Sequence, residues 1–268
     1  MLLVAGLALL ATLSTARAQA PTPDDSTAIR PIVLDLLERT MFDWVVTDFE
    51  TALVEEFAAE VDSLLEADSL LEAARAAFDR DAFTETVIRS LTNALTLDEA
   101  QALQVWMDQP AVRRAQRADS VYIVDPASDA NLNAFGQALG QTIPIDTTRA
   151  QLAYYMEDVT QGGALLADIT LLFLEALIPD ADQMTESERA ETRAVMLPSM
   201  TDYSVLSTYY IYRNLTVEEM RAYAQSIDTP EGIAYYQNYA NALGQAMQAS
   251  ARSMREALLS AARDADED

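Results

Sequence analysis

Histidine, cysteine and lysine are all missing from this 268-residue chain, whose 17 basic residues are therefore all arginines. Each absence removes a chemistry. Without histidine or cysteine there is no Ser-His-Asp triad, no cysteine nucleophile, no imidazole or thiolate zinc site, no iron–sulfur cluster and no disulfide. Without lysine there is no P-loop and no Schiff base. Carboxylate, tyrosine, serine and arginine chemistry is left. No motif assembles these into a catalytic site, so the chain reads as non-enzymatic and without a cofactor or metal. Glycine and proline are scarce, at 7 and 9 residues, while half the residues are hydrophobic and 22% are charged. That is the composition of a folded helical chain rather than a disordered one.

Acid is what the sequence has in excess: 43 Asp and Glu leave a formal charge of −26. Such a surface repels phosphate backbones and anionic lipid headgroups, which bind through clustered Lys and Arg, so nucleic acid is not an expected partner. The missing lysine together with dense short carboxylates points to a saline habitat, where hydrated acids keep a surface soluble and salt screens their repulsion.

The first residues read as an address. An apolar run from Leu2 to Leu13 precedes small residues at Ala16 and Ala18, the pattern of a secretory signal. A cut after Ala18 is expected, because a cut after Ala20 would leave Pro21 directly behind the scissile bond. The run is too short for a bilayer, which needs about 20 apolar residues. The expectation is a signal peptide over 1–18, a short polar linker over 19–26, and a periplasmic or secreted mature chain with no stable membrane span. A second apolar stretch, 164–178, contains Asp168 and Glu175 and is only 15 residues long, so it reads as a core helix.

The remainder carries helical periodicity. From about Ser26 to Asp43, apolar residues at 29, 32, 33, 36, 37 and 41 recur at spacings of three and four. The short VYIV segment, 121–124, lies between Asp119 and the turn-like Asp125-Pro126 and is expected to be an extended connector. Capping boxes, in which a Thr oxygen accepts from the third amide of a helix and a Glu reaches back, are expected at Thr96 with Glu99, Thr185 with Glu188 and Thr216 with Glu219.

Two of those boxes belong to an internal repeat. A shift of 120 residues lays Leu95, Thr96, Glu99 and Pro110 on Leu215, Thr216, Glu219 and Pro230 without a gap, and farther on NAFGQAL (133–139) matches NALGQAM (241–247) at an offset of 108. The first copy therefore holds about a dozen extra residues around VYIVDPAS. Each unit reads as a capped helix of about three turns followed by a Pro at the first position of the next helix, where its missing N–H costs nothing. The copies are placed at 27–143 and 144–268. The expected fold is all-α, a tandem helical-bundle repeat of two related antiparallel units with a long C-terminal helix.

The segment Tyr212-Arg213-Asn214-Leu215-Thr216-Val217-Glu218-Glu219-Met220, then Thr229-Pro230-Glu231-Gly232 before a long helix, resembles the bacterial exported family named domain of unknown function 2059. Its members read Y-x-x-x-L/F-T-x-E-E-L, then S-P-x-G opening a final helix. The second copy is the fuller match, with Thr229 in the serine position, whereas Val112 stands where Gly232 stands. The resemblance implies an exported helical domain and carries no activity or catalytic residues with it.

Ten of the 11 tyrosines follow residue 150, and at the 120-residue offset the first copy lacks them: Arg89 for Tyr209, Ser90 for Tyr210, Thr92 for Tyr212, Ala115 for Tyr235 and Gln116 for Tyr236. Tyr209, Tyr210, Tyr212, Tyr235, Tyr236 and Tyr239 are thus candidates for an interaction surface, since tyrosine offers apolar area with a polar tip. The competing expectation is that these rings pack the copies together. In the last helix Tyr236, Ala240, Leu243, Met247, Ser250 and Met254 form a coiled-coil-like seam.

The acids from Asp180 to Glu191 have calcium-loop spacing, but Met184 and Thr185 occupy positions that need a ligand and a glycine, so a solvated loop entering a capped helix is expected. Three functional readings follow. The first is an exported, non-enzymatic interaction module of the cell envelope, its partner another envelope protein or a second copy of itself. The second is a glycan hydrolase using carboxylates alone, and the third an acidic surface protein that binds divalent cations.

Overall fold

The computed structural model describes residues 23–61, 75–139, 146–177 and 184–267. The expected signal peptide and residues 180–183 of the calcium-like loop lie outside them. Among the described residues the chain is all-α, with no strand. The helices are α1 (Pro23–Arg39), α2 (Phe42–Val61), α3 (Arg80–Ala94), α4 (Leu97–Met107), α5 (Pro110–Val124) and α6 (Ser128–Leu139). They continue as α7 (Thr147–Thr160), α8 (Gly162–Leu177), α9 (Glu186–Ile211), α10 (Val217–Ile227) and α11 (Pro230–Glu267), with a 3-10 turn at Tyr212–Asn214 between α9 and α10.

Side-chain chemistry starts these helices. The Glu99 amide donates to Thr96 Oγ1 at 3.3 Å while the Thr96 amide donates to Glu99 Oε2 at 2.7 Å. The same reciprocal pair forms at Thr216 and Glu219, at 3.2 and 2.9 Å, and at Thr185 and Glu188, at 3.3 and 2.7 Å. Each box satisfies amides that have no partner within the helix. Pro110 opens α5 and Pro230 opens α11. Asp79 and Asp146 cap α3 and α7 through their carboxylates.

Two expectations change. The VYIV segment is the last turn of α5 rather than an extended connector. Tyr122 is buried there, edge-on to Tyr210 with ring centroids 6.0 Å apart, and this packing outweighs the weak helix preference of β-branched neighbours. Asp125 then ends the helix, its carboxylate accepting from the Ala127 amide, and α6 starts at Ser128. In addition, the periodic run from Ser26 to Asp43 is not one helix. It breaks after Arg39 and restarts at Phe42, because Met41 adopts a left-handed conformation with φ 55. Gln161, 120 residues later, also has φ 55 and separates α7 from α8 in the same way.

Packing relations recur at that spacing. α1 packs on α3 and α4, and α7 packs on α9 and α10. α5 lies against α10, and α11 lies against α4 as well as α3. Trp106 near the end of α4 donates its indole N–H to the Ser226 carbonyl of α10, 120 residues on, at 2.8 Å. A single core runs through both halves, from Ile29 and Val33 on α1 to Met247 and Met254 on α11. The 38-residue α11, about 57 Å long at 1.5 Å per residue, is its spine. The seam of α11 is buried at Ala240, Leu243, Met247, Ser250 and Met254, with α3 and α8 of the same chain as its main neighbours. α8 is the core helix expected from its composition, and among the described residues no helix is long and apolar enough to cross a membrane.

Candidate functional site

Where α4, α5, α7, α9, α10 and α11 converge, they enclose a partly open cavity of about 110 Å³. Its lining mixes aliphatic residues with five tyrosines of the second half and one acid of the first. Asp119 comes from α5, on the face that also presents Val112, Ala115 and Tyr122 to the interior. Tyr212 comes from the 3-10 turn, Tyr223 from α10, and Tyr235, Tyr236 and Tyr239 from α11. Ser204, Ser207 and Thr208 of α9, Thr160 of α7, Gln116 and Ser120 of α5, and Arg39 and Thr40 add further polar groups.

Four of the six tyrosines singled out in the sequence, Tyr212, Tyr235, Tyr236 and Tyr239, therefore meet at one site and face inward. Tyr212 is 8% exposed and Tyr239 4%. Tyr235 stands 5.2 Å from Trp106 and from Tyr236, centroid to centroid, and stacks on Tyr239 at 5.8 Å, so first-half and second-half rings share one aromatic cluster. The other two lie apart from the cavity. Tyr209 stacks on Phe135 of α6 at 5.8 Å and accepts from the Asp146 amide at 3.2 Å, and Tyr210 packs between Phe135 and Tyr122 with the Arg213 guanidinium 3.7 Å from its ring centre. Elsewhere, Leu95 is buried, and a side chain at Gly232 would meet the Ile227 carbonyl at 2.4 Å, so that position needs glycine.

Tyr223, Asp119, Ser204 and Ser207 were not identified in the sequence. Asp119 did leave a signal there, an acid among apolar residues at helical spacing (112, 115, 119, 122), hidden when the end of α5 is read as an extended connector.

The Tyr212 hydroxyl is ordered by the carboxylate. An ionised carboxylate only accepts, so Tyr212 Oη, 2.9 Å from Asp119 Oδ1, must donate to it. The Tyr223 and Tyr236 hydroxyls are in contact, either able to donate, and the Tyr212 and Tyr223 rings meet edge-on with centroids 5.3 Å apart. Burial holds all three phenols well above the ordinary tyrosine range. Burial also raises the Asp119 carboxyl to about 7 against the opposing Tyr212 hydrogen bond, and no arginine is among the groups acting on it. Arg39 reaches the cavity edge, but its guanidinium is held by Asp108 at 2.8 Å and Asp35 at 3.0 Å.

A second interior acid braces the wall. Glu157 of α7 is 9% exposed, accepts from the Gly163 amide at 2.8 Å and from Ser204 Oγ, and so sits at the N-terminus of α8, where amides without helical partners favour an anion. Burial nevertheless raises its carboxyl above the ordinary range. A Cβ at Gly163 would lie 2.4 Å from Thr201 of α9, so α8 and α9 are in backbone contact here, and Ser204 is fixed one turn farther along.

Chemically the site offers one carboxylate, several ring faces and hydroxyl oxygens. The lining contains no second acid at the separation of about 5 to 10 Å that glycoside hydrolysis uses. Among the described residues no group of three or more acids could hold a metal ion. No family model, curated protein or solved structure matches the chain.

Proposed function

We propose that this chain is an exported, non-enzymatic helical binding module of the bacterial cell envelope, built from two related units, and that it recognises a small molecule in its interior cavity. The observation that carries the reading is the convergence of Tyr212, Tyr223, Tyr235, Tyr236 and Asp119 on one cavity contributed by both halves. At the 120-residue offset the first copy has Thr92, Ala115 and Gln116 for Tyr212, Tyr235 and Tyr236 and Leu103 for Tyr223, so the aromatic wall is specific to this side of the molecule. A partly open, ring-lined concavity with a few directed polar groups is the usual form of a small-ligand site. The lone carboxylate supports binding over hydrolysis. The resemblance of 212–232 to the exported domain family, and the leader-like first 18 residues, support an envelope address.

The test is a thermal-shift screen of the purified mature chain against a chemically mixed set of small polar and aromatic compounds. Hits are repeated on Ser207→Leu, whose added methyls would occupy the cavity. Stabilisation by some class of compound, lost in Ser207→Leu while the helical spectrum is retained, is the expected result. If no class stabilises the protein, and in-cell crosslinking of the exported chain captures a protein partner equally well in both forms, the cavity is not the recognition element.

A further inference from the structure

The cavity sets an interior carboxylate beside tyrosine rings. Tyr212 gives its proton to Asp119, and the Tyr223 and Tyr236 hydroxyls are bonded to each other. Four neighbouring hydroxyls give their protons to groups of the protein: Thr160 to the Met156 carbonyl at 2.6 Å, Ser207 to the Tyr203 carbonyl at 2.8 Å, Ser120 to the Gln116 carbonyl at 2.7 Å, and Ser204 to Glu157. Asp119 itself has no cation acting on it, and the one guanidinium at the edge, that of Arg39, is occupied by two acids. An interior carboxylate without a cationic partner, set beside tyrosine ring faces, complements a positive charge. The field of a chain with a net charge of −26 concentrates cations at its surface and repels anions.

We infer that the cavity binds a small organic cation of the alkylammonium class, with Asp119 as its counter-ion and the rings of Tyr212, Tyr235 and Tyr236 around its alkyl groups. The inference rests on the cavity being the recognition element. Size sets the ligand scale. About 110 Å³ is below the ~150 Å³ that admits benzene, so a ligand of about four to six heavy atoms fits. A bare inorganic ion would leave the ring faces without apolar contact, whereas an alkylammonium fills the space and meets them with its polarised C–H groups.

The test measures binding of trimethylammonium to the mature chain by calorimetry at fixed ionic strength. Tert-butanol serves as a neutral probe of similar shape, and sodium and potassium as inorganic competitors. Trimethylammonium should bind about tenfold or more tightly than tert-butanol, and Asp119→Asn should abolish that difference. Its affinity should fall as pH drops through 7, where Asp119 takes up a proton. Arg39 on α1, the tyrosines Tyr212 and Tyr223, and Tyr235, Tyr236 and Tyr239 on α11 face the same cavity and keep their charge states in that interval. Tyr212→Phe, which retains the ring, should weaken binding less than Asp119→Asn.

Equal affinity for the two probes overturns the cation assignment and leaves the cavity reading intact. Binding of neither overturns the cation assignment, and the compound screen then decides the cavity reading. Trimethylammonium binding unchanged by Asp119→Asn places the cation on the acidic surface, and competition by sodium or potassium at equal concentration makes the site inorganic; either result overturns the inference.

Discussion

Asp119 sits in an environment that runs against its charged form. Its carboxyl titrates near 7 in the folded chain and near 4 when solvated, so between these values the folded state holds a proton that the unfolded state has lost. Folding stability therefore declines as pH rises from about 4 to about 7, and levels off above. Asp119→Asn keeps an acceptor for Tyr212 and removes the ionisation. It is expected to raise unfolding stability at pH 8 by about 2 to 4 kcal/mol, with the gain vanishing near pH 4, as read from urea unfolding across pH. A variant no more stable than the parent at pH 8 would show that the carboxylate is solvated and not held in the interior. Glu157 shifts in the same direction for the same first cause, burial, so the Asn variant should keep part of the pH dependence. The cost of Asp119 is what makes it a functional candidate, since apolar residues of the same volume would pack α5 more stably.

Helix punctuation is the best-encoded feature of the elements. Thr96 and Thr216 each close a reciprocal box, and replacing either by alanine is expected to cost about 1 kcal/mol, measured as the shift in urea midpoint with an unchanged slope. The breaks between helices are a different matter. Met41 and Gln161 hold φ 55 without the freedom of glycine, and neither residue type announces a left-handed cap in the sequence. Met41→Gly and Gln161→Gly should each stabilise the protein by about 0.5 to 1 kcal/mol, because the strain they relieve exceeds the added chain entropy. Loss of stability in both would mean that the side chains contribute more packing than the backbone releases in strain. The extended reading of residues 121–124 failed for a related reason: β-branched composition is a weak guide where a buried neighbour such as Tyr210 supplies the packing.

Over the whole molecule, repulsion between like charges opposes the compact state. With 43 acids against 17 arginines, screening should favour the compact state, and the melting temperature is expected to rise from low to molar NaCl. A flat profile would overturn that expectation and leave the lysine-free composition without a stability role. The all-α class, the helix starts, the core character of α8 and the buried seam of α11 were legible in the sequence because they follow from local rules: a capping oxygen three residues from a Glu, or apolar residues every three to four positions. The functional site was legible only in pieces. The unequal distribution of tyrosine singled out Tyr212, Tyr235, Tyr236 and Tyr239, but the sequence could not say whether they face solvent or one another, since that depends on α5 and α4 of one half packing against α10 and α11 of the other. It also could not join Asp119 to Tyr212, which lies 93 residues away and meets it only when those helices cross. Composition and periodicity by themselves determined which segments become helices and which faces are apolar. The tertiary structure alone decided that an acid on one helix and the phenols of others enclose a common cavity, because long-range proximity is set by helix crossing and not by spacing along the chain.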